Sequence, residues 1–316
     1  MARKVQKPGF IEHVQLSLFF AEDIIEPNFR DDRDIMSYPF LSMQKQKRIE
    51  PIYYRNDKQG IEIKVESIDS AGIATIFDYD FILWIISIIN EAIEEGKETS
   101  PRVRFYPHQF LLQAGWISSM QKGGGLAYKR LARSLERLKK TTITTNIRNN
   151  KEGDIKAATS AFSWINEYHW YEHKGKKIDH VEIVLADWIY DRIKEERTVL
   201  SISPEYFSLT SAMAKMLYRI CRKHCGNQDV FKFKVSTLYS RYPTNSKYSL
   251  FKYRLKQLVK KNILPEYNTS WHIDKDRYPM NSRKPIEYVI ISPRPGSREA
   301  RKLPRTVRHL LEGMDL

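Results

Sequence analysis

Three stretches carry residue types at spacings suited to chemistry. The first is GGGLAYKRLARSLERLKKTTITTN, residues 123–146: three glycines, a basic amphipathic run and a threonine-rich tract. A glycine-rich turn before a helix can cradle phosphate, because backbone N–H groups point outward at a helix N-terminus. A basic helix can instead dock on a partner or enter a DNA groove. The second is CRKHC, where Cys221 and Cys225 lie one helical turn apart beside His224. Zinc needs three or four converging ligands, and a free helix cysteine packs as a small hydrophobe, so this pair reads as buried core and no metal is expected. The third is HWYEH, with His169 and His173 four residues apart. The segment reads as a strand, where that spacing leaves the two rings well separated along one face, so an exposed strand edge is expected.

Enzymatic readings find little support. GGGLAYKR lacks the G-x-x-x-x-G-K-[ST] order of a nucleotide-binding loop, and no apolar strand precedes it. A DNA-nicking enzyme would pair a nucleophilic tyrosine with a metal held by His-x-His, and none of the eight histidines is so placed. A binding protein without cofactor is therefore expected.

The elements that would position a binding surface follow from periodicity. If residues 127–140 are helical, Leu131, Leu135 and Leu138 form one apolar face, and Arg130, Arg133, Arg137 and Lys140 form a stripe opposite. Residues 121–151 hold nine Lys or Arg against Glu136 alone, whereas a merely solvated helix interleaves its signs. TTITTNIR and AATSAFSWINEYHW, joined by NNKEGD, read as a hairpin. In the C-terminal half, KYSLFKYRLKQLVKKNILPEY repeats the design: Phe251, Leu255 and Leu258 match the leucines at an offset of 120 residues, and Ile263 answers Ile143. The opposite face carries Ser249, Tyr253, Lys256 and Lys260, and residues 247–261 hold six basic residues and no acid.

Each half thus reads helix, strand, helix, basic helix, hairpin, the order of a winged helix, in which the third helix enters the major groove. The expected fold is α+β, with two tandem winged-helix domains behind an N-terminal arm. The expected limits are an arm over 1–75, a first domain over 76–175, a connecting strand–helix–strand over 176–206, a second domain over 207–292 and a basic flexible tail over 293–316. The arm holds an acidic stretch, AEDIIEPNFRDDRD, readable as a loop or a dimer element. FILWIISIINEAI, residues 81–93, is too short to span a bilayer and reads as a core helix, opened by an aspartate cap and stopped at Gly96.

A formal charge of +15 and a pI near 9.6 favour a polyanionic partner. Two cysteines make no disulfide scaffold, and the polar residues Glu12, His13 and Gln15 interrupt any signal-like N-terminal run, so a cytoplasmic protein without membrane contact is expected. Arg130 and Arg133, near the helix start, are the candidates for guanine edges, together with Ser249, Tyr253 and Lys256 in the second helix. Lys129, Arg137, Lys140, Arg148, Lys151 and Lys260 complete the candidate surface, chiefly as phosphate contacts.

Longer segments carry a resemblance. MSYPFLSMQKQKRIEPIYY, VRFYPHQFLLQAGW, GGGLAYKRLARSLERLKKTTITTNI and SAFSWINEY resemble the plasmid replication initiator protein A family of bacteria, across nearly the whole N-terminal half. The second half resembles it in architecture more than in wording. The resemblance implies a non-enzymatic initiator that binds repeats at a plasmid origin, helps open the duplex and recruits host replication proteins such as the helicase. It also implies repression of its own gene, often as a homodimer, with monomers starting replication. An autoregulatory repressor with no replication role is the rival expectation, and a rolling-circle nickase a more distant one.

Overall fold

The apolar run at the centre of the first half forms α1 (Tyr79–Glu94), and thirteen of its sixteen residues are buried. A helix apolar on all sides must sit inside the molecule. It ends as expected: Gly96 takes φ +74°, and the N–H groups of Gly96 and Lys97 close on the carbonyls of Ile93 and Ala92. Its start differs from expectation. Asp78 does not cap the helix, because its carboxylate accepts hydrogen bonds from the Thr75 N–H and hydroxyl, from Ser134 and from Arg137. The computed structural model describes residues 17–118, 125–147, 151–152, 155–156, 159–172, 178–194, 198–226, 228–275, 285–298 and 301.

After α1 come the strand Arg102–Phe105, α2 (Pro107–Gln113) with proline in its first turn, and α3 (Gly125–Lys140). The hairpin Ile165–Glu172 with Ile178–Leu185 pairs back onto Arg102–Phe105, giving the order 102–105, 178–185, 165–172. Phe19–Phe20 of the arm adds a parallel edge. The strand Ile178–Leu185 leads to α4 (Asp187–Lys194) and Val199–Ser201, which join the halves. The second half runs α5 (Ala212–Cys225), the strand Phe231–Lys234, α6 (Val235–Arg241), α7 (Tyr248–Lys261) and the hairpin Tyr267–Asp274 with Ile286–Pro293. Its sheet order, 231–234, 286–293, 267–274, repeats that of the first half.

The threonine tract departs from the expected hairpin. Thr141–Thr145 does pair with Ser160–Ser163, but in a separate four-stranded sheet completed by the arm strands Ile52–Asn56 and Ile61–Ser67. Val65 and Ile143 face each other inward. The Thr141 hydroxyl donates to the Arg137 carbonyl and accepts from the Ala74 N–H, and the Thr145 hydroxyl donates to the Glu62 carbonyl. The hairpin equivalent to that of the second half is 165–185, and residues 141–163 are an insertion before it. Consequently the limits at 75 and 175 cut through paired strands. The match of Ile263 to Ile143 also fails: Ile143 is fully buried, while Ile263 is 49 % exposed and outside any strand, and Leu264 takes the core position. Strand pairing runs through Pro293, and the Arg294 guanidinium donates to the carbonyls of Asn262, Leu264 and Tyr267, so the start of the expected tail is fastened to the second half.

The acidic stretch of the arm is an internal clasp. Asp31 is fully buried and accepts hydrogen bonds from Arg219 of α5 at 2.6 Å and from the Tyr79 hydroxyl of α1 at 2.9 Å. Asp32 and Asp34 both receive Arg192 of α4, at 2.7 and 2.9 Å. A third buried pair, Lys215 to Asp80 at 2.9 Å, ties α5 to the start of α1. Buried charges require partners, and these three pairings hold both halves to one continuous core.

Candidate nucleic-acid interface

α7 is helical because its apolar residues recur at helical spacing. Phe251, Leu255, Leu258 and Val259 are buried, with Phe251 packed on Tyr239 and Tyr242 of the α6 end. Asn262 in the left-handed conformation ends it, and its side chain bonds Asn268 and the Thr269 N–H at the start of the hairpin. The opposite face is open: Ser249, Tyr253, Lys256 and Lys260 are all exposed, with Tyr253 at 62 %. Among the described residues, Ser249, Tyr253 and Lys260 have no ionic or hydrogen-bonding partner, and the Lys256 ammonium lies 5.9 Å from the Trp271 ring of the hairpin. Lys252, by contrast, is paired with Glu287 at 2.8 Å. The four predicted positions therefore form one stripe that is free to meet a ligand.

α3 differs. Leu131, Leu135 and Leu138 are buried as expected, but its basic stripe is largely consumed inside the protein. The Arg137 guanidinium makes two bonds to Asp78, at 2.7 and 2.5 Å, and its acid strength falls because of that hydrogen bonding, against the cost of burial. Lys140 is held by Asp69 and Glu136, each at 2.7 Å, which raises its pKa. Arg130 lies over the Trp116 ring, with its guanidinium carbon 3.4 Å from the centroid, and burial lowers its pKa against the pull of Asp80 and Asp78. The geometry reassigns these three. Arg137 and Lys140 are structural pairs, and Arg130 is half-buried against an indole face and does not project as a base reader. Lys129 and Arg133 remain exposed, the latter donating to the Lys129 carbonyl at 3.3 Å. Arg148 and the glycines 123–124 lie outside the described residues, as does the Lys151 side chain, whose backbone forms a two-stranded ribbon with Lys156.

Two clefts open beside α3. One, of about 490 Å³, lies between the halves and is lined by Lys45, Phe77, Asp80, Trp116, Arg130 and Lys215 among others. A smaller one, of about 220 Å³, is lined by Lys45, Lys47, Arg133, Glu136 and Arg137. Lys45 and Lys47 are exposed residues of the arm motif QKQK. Periodicity cannot find them, because they belong to no helix or strand.

The remaining chemical candidates resolve simply. Cys221 and Cys225 are both buried, and burial raises the Cys221 pKa well above its ordinary value. His224 is pushed down to about 4 by burial and by Arg241 and Lys223. Its Nε2 accepts from Arg241 at 3.0 Å, so the ring is neutral there. His169 is exposed on the strand Ile165–Glu172, and His173 lies outside the described residues. Among the described residues no three His, Cys, Asp or Glu side chains are grouped to hold a metal ion, and no helix is long and apolar enough to cross a membrane.

Comparison with known proteins gives this surface a context. The crystal structure of RctB domains 2–3 is similar over 88 % of this chain and 99 % of that one, with a TM-score of 0.52 at 11 % identity. A selenomethionine derivative of RctB domains 2 and 3 is similar over 85 % and 99 %, with a TM-score of 0.55 at 11 % identity. At that identity the likeness concerns the fold. In sequence, a putative replication protein of Wigglesworthia glossinidia brevipalpis is 34 % identical over 262 residues, 82 % of this chain and 90 % of that protein. The sequence model of replication initiator protein A matches residues 30–269, which takes in the arm clasp, the first helix–hairpin unit and the second half through the whole of α7 to the first residues of its hairpin. The chain belongs to the replication initiator protein A family.

Proposed function

We propose that this protein binds double-stranded DNA sequence-specifically at repeats of a plasmid origin, and does so without an enzymatic step. On this reading each half is a winged helix, with α3 and α7 as the third helices and the hairpins 165–185 and 267–293 as the wings. The observation that carries the reading is the exposed stripe Ser249, Tyr253, Lys256 and Lys260 on a helix with no acidic residue, presented beside a hairpin. Ser249, Tyr253 and Lys256 are assigned to base edges and Lys260 to a phosphate. In the first half Arg133 is the base reader and Lys129 its phosphate neighbour. Two such helices suit two successive major grooves on one face of the duplex, about one helical turn apart.

Family membership supports initiation as the outcome of binding: opening of the duplex and recruitment of host replication proteins, including a helicase, in the bacterial cytoplasm. A homodimer that represses the protein's own gene is part of the same proposal, and Asp31 and Asp32, being buried, are not the carboxylates that would face its partner. The test is footprinting of the purified protein on DNA flanking its gene, followed by asking whether the protected repeats sustain a plasmid in cells. Two protected grooves per repeat and plasmid maintenance are expected. Equal affinity for the repeat and for random duplex overturns DNA specificity. Protection without maintenance overturns the replication role in favour of a repressor, and a covalent tyrosine–DNA adduct formed with a divalent metal overturns the non-enzymatic reading.

A further inference from the structure

The carboxylates around the two clefts beside α3 are already bonded to cations. Asp78 holds Arg137, Asp80 holds Lys215, and Asp69 and Glu136 share Lys140. Asp69 also attracts Lys47, but its hydrogen bonds go to Lys140 and the Ala71 N–H. Four cations remain: Lys45 and Lys47 of the arm, and Arg130 and Arg133 of α3. Arg130 donates no hydrogen bond among the described residues. Its guanidinium is oriented by the Trp116 face while its N–H groups stay open to the larger cleft. Such a guanidinium is pre-set to receive an anion, and a planar fork suits phosphate oxygens.

The arm loop that carries the two lysines is fastened in place. Ser42 and Ala74 are joined by a backbone hydrogen bond, as are Ile76 and Ser42, and Ile73 and Arg48. Gly72, at φ +85°, allows the close approach: a Cβ there would stand 2.7 Å from Lys47 Cγ and 3.1 Å from the Arg48 carbonyl. The buried Arg48 side chain donates to the carbonyls of Glu50 and Pro51 and, at 3.0 Å, to that of Pro243, a few residues before α7. The loop 45–48 therefore touches the clefts of α3 on one side and the approach to α7 on the other. It links the clefts beside α3 to the segment that leads into α7.

We propose that Lys45 and Lys47 form, with Arg130, a phosphate-binding surface beside the base-reading Arg133 that holds the DNA backbone between the two reading helices. The inference rests on the DNA-binding reading above and adds an arm element to it. Backbone held there fixes the spacing at which α3 and α7 enter their grooves and carries no base preference of its own.

The test compares the full chain with its Lys45→Ala/Lys47→Ala variant on the specific duplex across a salt series, with phosphate-ethylation interference on the same DNA. Two lost phosphate contacts lower the salt slope by about 1.8. Between about 50 and 200 mM salt, the variant then loses roughly 12-fold less affinity than the wild type. The specific-to-random ratio stays unchanged, interference vanishes between the two grooves, and a Lys45→Arg/Lys47→Arg variant behaves as wild type. An unchanged slope and interference pattern, in a variant made from a wild type that protects both grooves, overturns this inference alone. A wild type that fails to prefer the specific duplex overturns the underlying reading instead.

Discussion

Arg137 and Lys260 look alike in sequence, each a cation on a basic helix, and the structure gives them opposite expected behaviour. The Asp78 carboxylate is only 2 % exposed and accepts bonds from Arg137, Ser134 and Thr75. Replacing Arg137 by Met leaves that carboxylate buried without a countercharge. Breaking a buried pair costs about 3–5 kcal/mol, but Arg137 is itself a quarter exposed and three uncharged donors stay, so about 2–3 kcal/mol is expected. With both halves on one core, an unfolding entropy of about 2.1 cal/mol/K per residue turns this into a fall in Tm of roughly 3–5 °C. The salt slope of DNA binding should not change. Lys260→Ala should do the reverse, leaving Tm unmoved and lowering the slope by about 0.9. Differential scanning fluorimetry and anisotropy titrations at several salt concentrations read both quantities on both variants. A lowered slope at unchanged Tm for Arg137→Met would show that this arginine faces phosphate and that the reasoning from Asp78 is mistaken.

Arg133→Ala is expected to relax preference at one base position at a cost of about 1–3 kcal/mol, whereas Arg130→Ala should leave base preference intact; binding to a panel of single-base variants separates them. Arg219→Ala strips Asp31 of its ionic partner at zero exposure and should destabilise by about 3–5 kcal/mol in urea titrations, with Asp31→Asn/Arg219→Met recovering most of it. His224 has a folded pKa of about 4, below the ordinary 6.5 of an unfolded histidine. The unfolded chain therefore binds the proton first, so the stabilisation is complete above 6.5 and is lost as pH falls toward 4. The loss is on the order of 2 kcal/mol after allowing for the partial exposure of the ring. A His224→Gln variant, which can still accept from Arg241, should lack that component of the pH dependence in urea midpoints measured across the same window.

Much of the architecture is legible in the amino-acid sequence. α1, α3 and α7 are long segments whose leucine, isoleucine and phenylalanine spacing has one helical solution, and Gly96 marks the end of α1 and Pro107 the start of the neighbouring α2 by backbone chemistry alone. The exposed stripe of α7 is legible for the same reason, since the face opposite an apolar stripe must turn outward. The partners of charges are not. DDRD at 31–34 has the composition of a solvated loop, and its arginine partners lie about 160 and 190 residues away. Nothing local signals that a carboxylate will be buried. Likewise, alternation in TTITT requires one buried face but leaves open which strand lies alongside, and the arm supplies it.

Residue spacing by itself determined the repeated helix–strand–helix–helix order and the two basic helices, because periodicity and turn chemistry act over a few residues. Only the tertiary structure decided which cations are available. Arg137 and Lys140 met three carboxylate oxygens from distant segments and one from Glu136 a turn away, and Arg130 met an indole that sets it beside a cleft, while Ser249, Tyr253, Lys256 and Lys260 met no acid at all. Desolvation and pairing depend on what the fold brings within a few ångströms, and that is not written in neighbouring residues.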